Sequence, residues 1–84
     1  MQFNFPNKSR IDSSTMCVVF PVVVDGITRN VFVSYETLDD HFGGTNIQDK
    51  KFVFESNRSA IESKARKIIE NGTVGDVLIK TAMF

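Results

Sequence analysis

The chain has 84 residues, 42% of them apolar, and its ten basic and ten acidic side chains leave a formal net charge of zero. That length bounds it to one domain, residues 1–84, small enough that dimerisation would add useful buried area, and the missing basic excess removes the electrostatic signature of a dedicated nucleic-acid binder, though not a local basic patch. A single cysteine, Cys17, excludes an internal disulfide, and eight phenylalanines with no tryptophan point to a Phe-rich core.

Residues 2–5, QFNF, alternate polar and apolar and predict a short strand, which Pro6 and Asn7 end. Residues 7–15, NKSRIDSST, are polar and read as a loop. The clearest signal follows in TMCVVFPVVVDGITRNVFVSY, where β-branched runs flank Asp25-Gly26. Asp-Gly suits a type I′ turn, which needs positive φ at both central residues. A two-residue turn sets Val24 opposite Ile27. Counting outward pairs Val22 with Arg29, Phe20 with Val31 and Val18 with Val33, and this more apolar face is assigned to the core. The other face pairs Val23 with Thr28, Pro21 with Asn30, Val19 with Phe32 and Cys17 with Ser34. It leaves Val19 and Phe32 as an exposed apolar patch of the kind that marks an interface. Pro21 lacks an N–H, so its strand is expected at an edge or bulged there.

Ser34 then caps a short helix whose inner face is Tyr35, Leu38 and Phe42, and Gly43 supplies the positive φ that ends it. A single long helix is predicted next, capped by Thr45 or Asn46, favoured in its first turns by Asp49 and closed by Asn71-Gly72. Phe54, Ile61 and Ile68 recur every seven residues, with Arg58 and Ala65 four after the first two, an amphipathic stripe. The FVF at 52–54 alone would suit a strand, and the periodicity beyond it favours helix. A last strand runs from about Asp76. The fold class is α+β: an antiparallel sheet of about four strands (N-terminal strand, Asp-Gly hairpin, C-terminal strand), with one short and one long helix packed on one face.

His41, the sole histidine, would need a nucleophile or acid within reach to act as a base. Asp39 and Asp40 diverge from it by about 100° per residue on a helix, and the structural reading, a last-turn cation on the helix dipole, is preferred. One His and one Cys far apart give no zinc spacing, and no loop resembles a calcium repeat. Cys17 lies in an apolar strand, where a thiol is inert. FGGTN lacks the Lys-Ser/Thr of a phosphate loop. Arg58 sits on the apolar stripe. It contacts an anion or partner, or it snorkels and pairs with Asp39, Asp40 or Glu62, and the second reading is preferred. Lys64, Arg66 and Lys67 complement the dipole of the long helix near its end, and without aromatic interleaving they read as a solvated face. The first ten residues carry no basic-then-apolar pattern of a signal peptide, and MCVVFPVVV is far shorter than the about 20 residues that span a membrane. The N-x-S/T triplets at Asn7, Asn57 and Asn71 are then chance matches.

Several segments together resemble a bacterial family, the domain of unknown function family 1488. They are FP (5–6), VFPVVVDG (19–26), VSYETLDDHFGG (33–44), FESNRSAIESKARKII (54–69) and the closing VLIKTAMF. DHFG and the F-x-x-N-R-x-x-I-E helix are its most specific parts. The chain departs from it at Met83, where the family usually carries an acidic residue before the final Phe. The resemblance implies a bacterial, soluble, single-domain α+β protein and brings no activity, cofactor or catalytic residue. Asp40, His41, Asn57, Arg58 and Glu62 lie in or beside the matching segments and are the candidate structural or interaction residues. The expectation is a cytoplasmic, non-enzymatic protein-interaction module without a cofactor, metal or membrane anchor, with itself (a homodimer) or another protein as partner. The alternatives are a nucleic-acid-binding accessory protein using Arg58, Lys64, Arg66 and Lys67, and a small-ligand site where His41, Arg58 and Asp40 converge.

Overall fold

The computed structural model describes residues 1–44 and 49–84. Its strands are β1 (Phe3–Asn4), β2 (Arg10–Asp12), β3 (Cys17–Val24), β4 (Ile27–Ser34) and β5 (Val77–Ile79), and its helices are α1 (Tyr35–Phe42), α2 (Lys50–Ser56) and α3 (Arg58–Glu70). A 3-10 turn at Thr81–Met83 closes the chain.

The hairpin forms in the expected register, from Val24 opposite Ile27 to Cys17 opposite Ser34. Asp25 at φ 51° and Gly26 at φ 83° make the turn type I′. The predicted core face is buried: Val18, Phe20, Val22, Val24, Val31 and Val33 are all at most 4% exposed. Phe54 of α2 and Ile61, Ala65 and Ile69 of α3 pack on this face, with Leu38 of α1. The stripe on α3 thus turns slightly from the expected one. Ile69 is fully buried and Ile68 only partly.

Residues 7–15 are not all loop. Arg10–Asp12 pairs with β3 along the same edge that β1 occupies further on. β1 covers Val23 and Val24 and β2 covers Cys17 to Val19, so residues 20–22 have a strand partner only on the β4 side. Pro21 stands in that gap. Asp25 N–H donates to the Gln2 carbonyl at 3.0 Å. Inter-strand bonds alternate along a strand, so the odd residues of β3 point their backbone toward this edge. A missing N–H costs nothing where no acceptor strand lies, which meets the requirement Pro21 imposed.

The sheet is mostly antiparallel, but β5 joins β4 parallel, with Val31 opposite Val77 and Val33 opposite Ile79. Parallel neighbours need a long crossover. α2 and α3, seven and 13 residues long, rise about 30 Å together at about 1.5 Å per residue. That returns the chain along the whole length of β4. Strand direction therefore depends on where the helices deliver the chain, which the three-residue pattern of β5 does not encode.

The α1 termini are as expected. Ser34 Oγ accepts from Thr37 N–H at 3.1 Å, and Gly43 has φ 71°. The expected single long helix is instead two. Asn57 leaves the helical region at φ −123°, and its Nδ2 donates to the Val53 carbonyl at 2.9 Å. This side chain competes for the ladder, and the axis breaks there. Thr45 and Asn46 lie outside the described residues. The observed cap of α2 is Asp49, which accepts from Phe52 N–H at 3.1 Å.

Candidate functional site

The segment Asp39–Gly44 is held from two sides. Lys50 donates to Asp39 at 2.5 Å and to the Gly44 carbonyl at 2.8 Å, tying the end of α1 to the start of α2. A Cβ at Gly44 would lie 3.0 Å from Asp39 Oδ1 and 3.2 Å from the Leu38 carbonyl oxygen, so the second glycine of the pair is needed for close approach. On the other side the C-terminal turn docks. Thr81 donates to Asp40 at 2.7 Å, and His41 Nε2 lies 2.8 Å from the Thr81 carbonyl, which fixes that nitrogen as the protonated one. Phe84 lies tilted at 5.2 Å from the His41 ring and edge-on at 5.3 Å from Phe42, with the Lys64 ammonium 5.5 Å from its centroid. His41 is thus an exposed last-turn residue that binds the chain end.

Arg58 does different work. It opens α3, only 13% of its side chain is exposed, and its planar fork spans two segments. Nε donates to Glu62 at 2.7 Å and Nη1 to Glu55 at 2.9 Å, while Nη2 donates to the carbonyls of Pro6 at 2.7 Å and Lys8 at 3.0 Å. Its guanidinium also lies over the Phe54 ring at 5.1 Å and the Phe20 ring at 5.9 Å. It pairs with Glu62, as one expectation had it, and not with Asp39 or Asp40, which are taken by Lys50 and Thr81. So Arg58 and Glu62 come together, with Glu55, as a clamp on residues 6–8, while Asn57 instead bonds the Val53 carbonyl at the helix break. Asp40 and His41 come together as a clasp on residues 81–84, and the two groups share no hydrogen bond or ion pair among the described residues. Arg66 pairs with Glu70 and covers the Phe3 ring at 4.9 Å, so Lys64 and Arg66 both meet aromatic rings of this chain.

Two open surfaces remain. The first is the outer face of the sheet. The register lines up Arg10, Val19, Phe32 and Leu78 across four strands, and no residue of this face joins the core cluster packed by the helices. The expected exposed patch of Val19 and Phe32 needs correction. Val19 is 2% exposed and Phe32 half-buried, because β2, read as loop, lays Arg10 beside Val19. The exposed apolar member is Leu78, at 44%. The second surface is a groove of about 680 Å³ at the gap in the β3 edge. Lys8, Arg10 and Lys51 line it, and the sequence reading did not single them out. Only the gap between β1 and β2 brings them together, and residue order carries no direct sign of it. Cys17 is buried with its thiol on the Thr15 carbonyl, and no group of side chains suited to a metal ion occurs among the described residues. Among the described residues no helix is long and apolar enough to cross a membrane.

These features define a small α+β protein with a mixed sheet and helices on one face. The chain belongs to the family described as "Protein of unknown function (DUF1488)", whose model matches residues 3–78. It is 28% identical over 72 residues to the "Uncharacterized protein YrdB" of Escherichia coli (strain K12), covering 86% of this chain and 85% of that protein, and equally so to the protein of that name from Shigella flexneri. Its fold matches a crystal structure of a protein of unknown function from the DUF1488 family of Shewanella loihica PV-4. The TM-score is 0.80 at 22% identity, over 94% of both chains.

Proposed function

We propose that this protein is a non-enzymatic interaction module of the cytoplasm, and that the outer face of its sheet seats a second copy of the chain. The carrying observation is the exposed Leu78 beside the half-buried Phe32, on the sheet face turned away from the helix-packed core cluster. An apolar sheet face of this kind gains by being covered, at about 25 cal/mol per Å². Both charge signs border it, Arg10 and Lys80 against Asp12 and Glu36, and the chain is neutral overall, so a two-fold arrangement brings unlike charges together without net repulsion. A standard contact hides about 800 Å² per partner, which is a modest share of the 5014 Å² surface.

Sedimentation equilibrium over a concentration series tests this. A monomer–dimer equilibrium is expected, and Leu78→Glu, placed on an exposed site that leaves the core intact, is expected to hold the protein monomeric. A wild-type chain that stays strictly monomeric at millimolar concentration would overturn the reading.

A further inference from the structure

We propose that the groove at the β3 edge is a binding site for a small polyanion, a ligand with two or more phosphate or carboxylate charges. The inference goes beyond self-association and does not rest on it. Lys8 and Arg10, at the entry to β2, and Lys51, on α2, converge on one concavity. None of them has an ion pair among the described residues, whereas Lys50, Arg58 and Arg66 are all paired. The acidic member of the lining, Glu55, is already engaged, sharing Arg58 with Glu62. Its Oε1 accepts from Arg58 at 2.9 Å and from Ser9 at 2.8 Å. Three cations against one carboxylate leave the lining net positive, with Asp12 near Arg10 as a further partial counter-charge, in a chain whose total is zero.

The site is also shaped beforehand. Its volume of about 680 Å³ lies within the roughly 300–1,000 Å³ of small-molecule sites. Val19 and Pro21 floor it with apolar surface, and Asn7 and Asn30 supply hydrogen-bonding side chains at its margins. Arg58 pins the backbone of Pro6 and Lys8, which fixes the wall that carries the Lys8 ammonium. Several cations converging on one concavity favour a compact multivalent anion over chloride, because each charge contact adds while the association cost is met once.

The test is amide NMR titration with inorganic pyrophosphate, citrate and sodium chloride at matched ionic strength. Saturable shifts are expected for Ser9, Arg10, Pro21-adjacent and Lys51 amides with pyrophosphate or citrate and not with chloride. The tighter of the two identifies phosphate or carboxylate as the group recognised. The double variant Lys8→Ala/Lys51→Ala, whose altered side chains are exposed and unpaired, is expected to bind at least tenfold more weakly with an otherwise unchanged spectrum. Lys64→Ala/Lys67→Ala on α3 is expected to bind as the wild type does. Shifts that rise linearly without saturating, or equal affinity in the Lys8/Lys51 variant, would overturn the proposal.

Discussion

Replacing Arg58 with Met removes the fork while keeping most of the stem that packs on Phe54 and Phe20. Four hydrogen bonds disappear. They do not count equally. Glu55 is 40% exposed and rehydrates, as does the exposed Lys8 carbonyl, so those two bonds recover most of their value in water. The bond to Glu62, whose side chain is 22% exposed, and the bond to the Pro6 carbonyl are lost more fully. At about 1.5–3 kcal/mol for a hydrogen bond to a charged group, and allowing for partial rehydration, the expected cost is about 3 kcal/mol. In a domain of this size each kcal/mol moves the midpoint by about 4–8 °C, so the melt is expected to fall by roughly 12–24 °C. Urea unfolding followed by circular dichroism reads the free energy directly. Arg58→Lys keeps the charge but not the planar fork, and is expected to recover only about 1 kcal/mol. Hydrogen exchange at Lys8, whose N–H donates to the Pro6 carbonyl at 2.8 Å, is expected to speed up in both variants. A loss below about 1 kcal/mol for the Met variant, or a Lys variant as stable as wild type, would refute the clamp.

Gly26→Ala places a Cβ on a residue at φ 83° with open space around it, so strain alone acts, and a loss of about 1 kcal/mol is expected in the same urea assay. Phe84→Ala removes the ring that His41 and Phe42 share. About 1 kcal/mol of stability should go with it, along with a visible shift of the His41 ring protons, and an unchanged imidazole signal would contradict the docked chain end. The Asp12 carboxylate accepts from the hydroxyls of Ser14 and Thr15, which hold its pKa below the ordinary range. Its contribution is therefore present at neutral pH and is lost only as pH falls through that lowered value. Carboxyl-carbon NMR is expected to show Asp12 titrating below the ordinary carboxylate range, and Thr15→Ala to move it upward. Met83→Glu replaces the sulfur that now accepts from Lys80 N–H at 3.4 Å with a better acceptor. A gain of a few tenths of a kcal/mol, about the value of a weak cap, is expected from thermal melts.

What the sequence determined by itself was local. Asp25-Gly26 and the alternation on either side of it set the hairpin register and its buried face, because turn geometry and a period of two leave one consistent pairing. Ser34 and Gly43 bounded α1 for the same reason, since caps act within a few residues. The Asn57 break was within reach of a closer reading, as Asn in mid-helix competes for backbone bonds. Tertiary structure alone decided the rest. β2 is a strand only because β3 offers it an edge, and that pairing turned Val19 from an exposed residue into a covered one. The parallel direction of β5 follows from where α3 releases the chain. Arg58 was legible as an odd residue on an apolar stripe, but its carbonyl partners lie about fifty positions away in sequence. The cations of the groove meet only because a gap opens between two short strands. Contacts across such separations depend on where whole elements come to rest, and no local spacing records that.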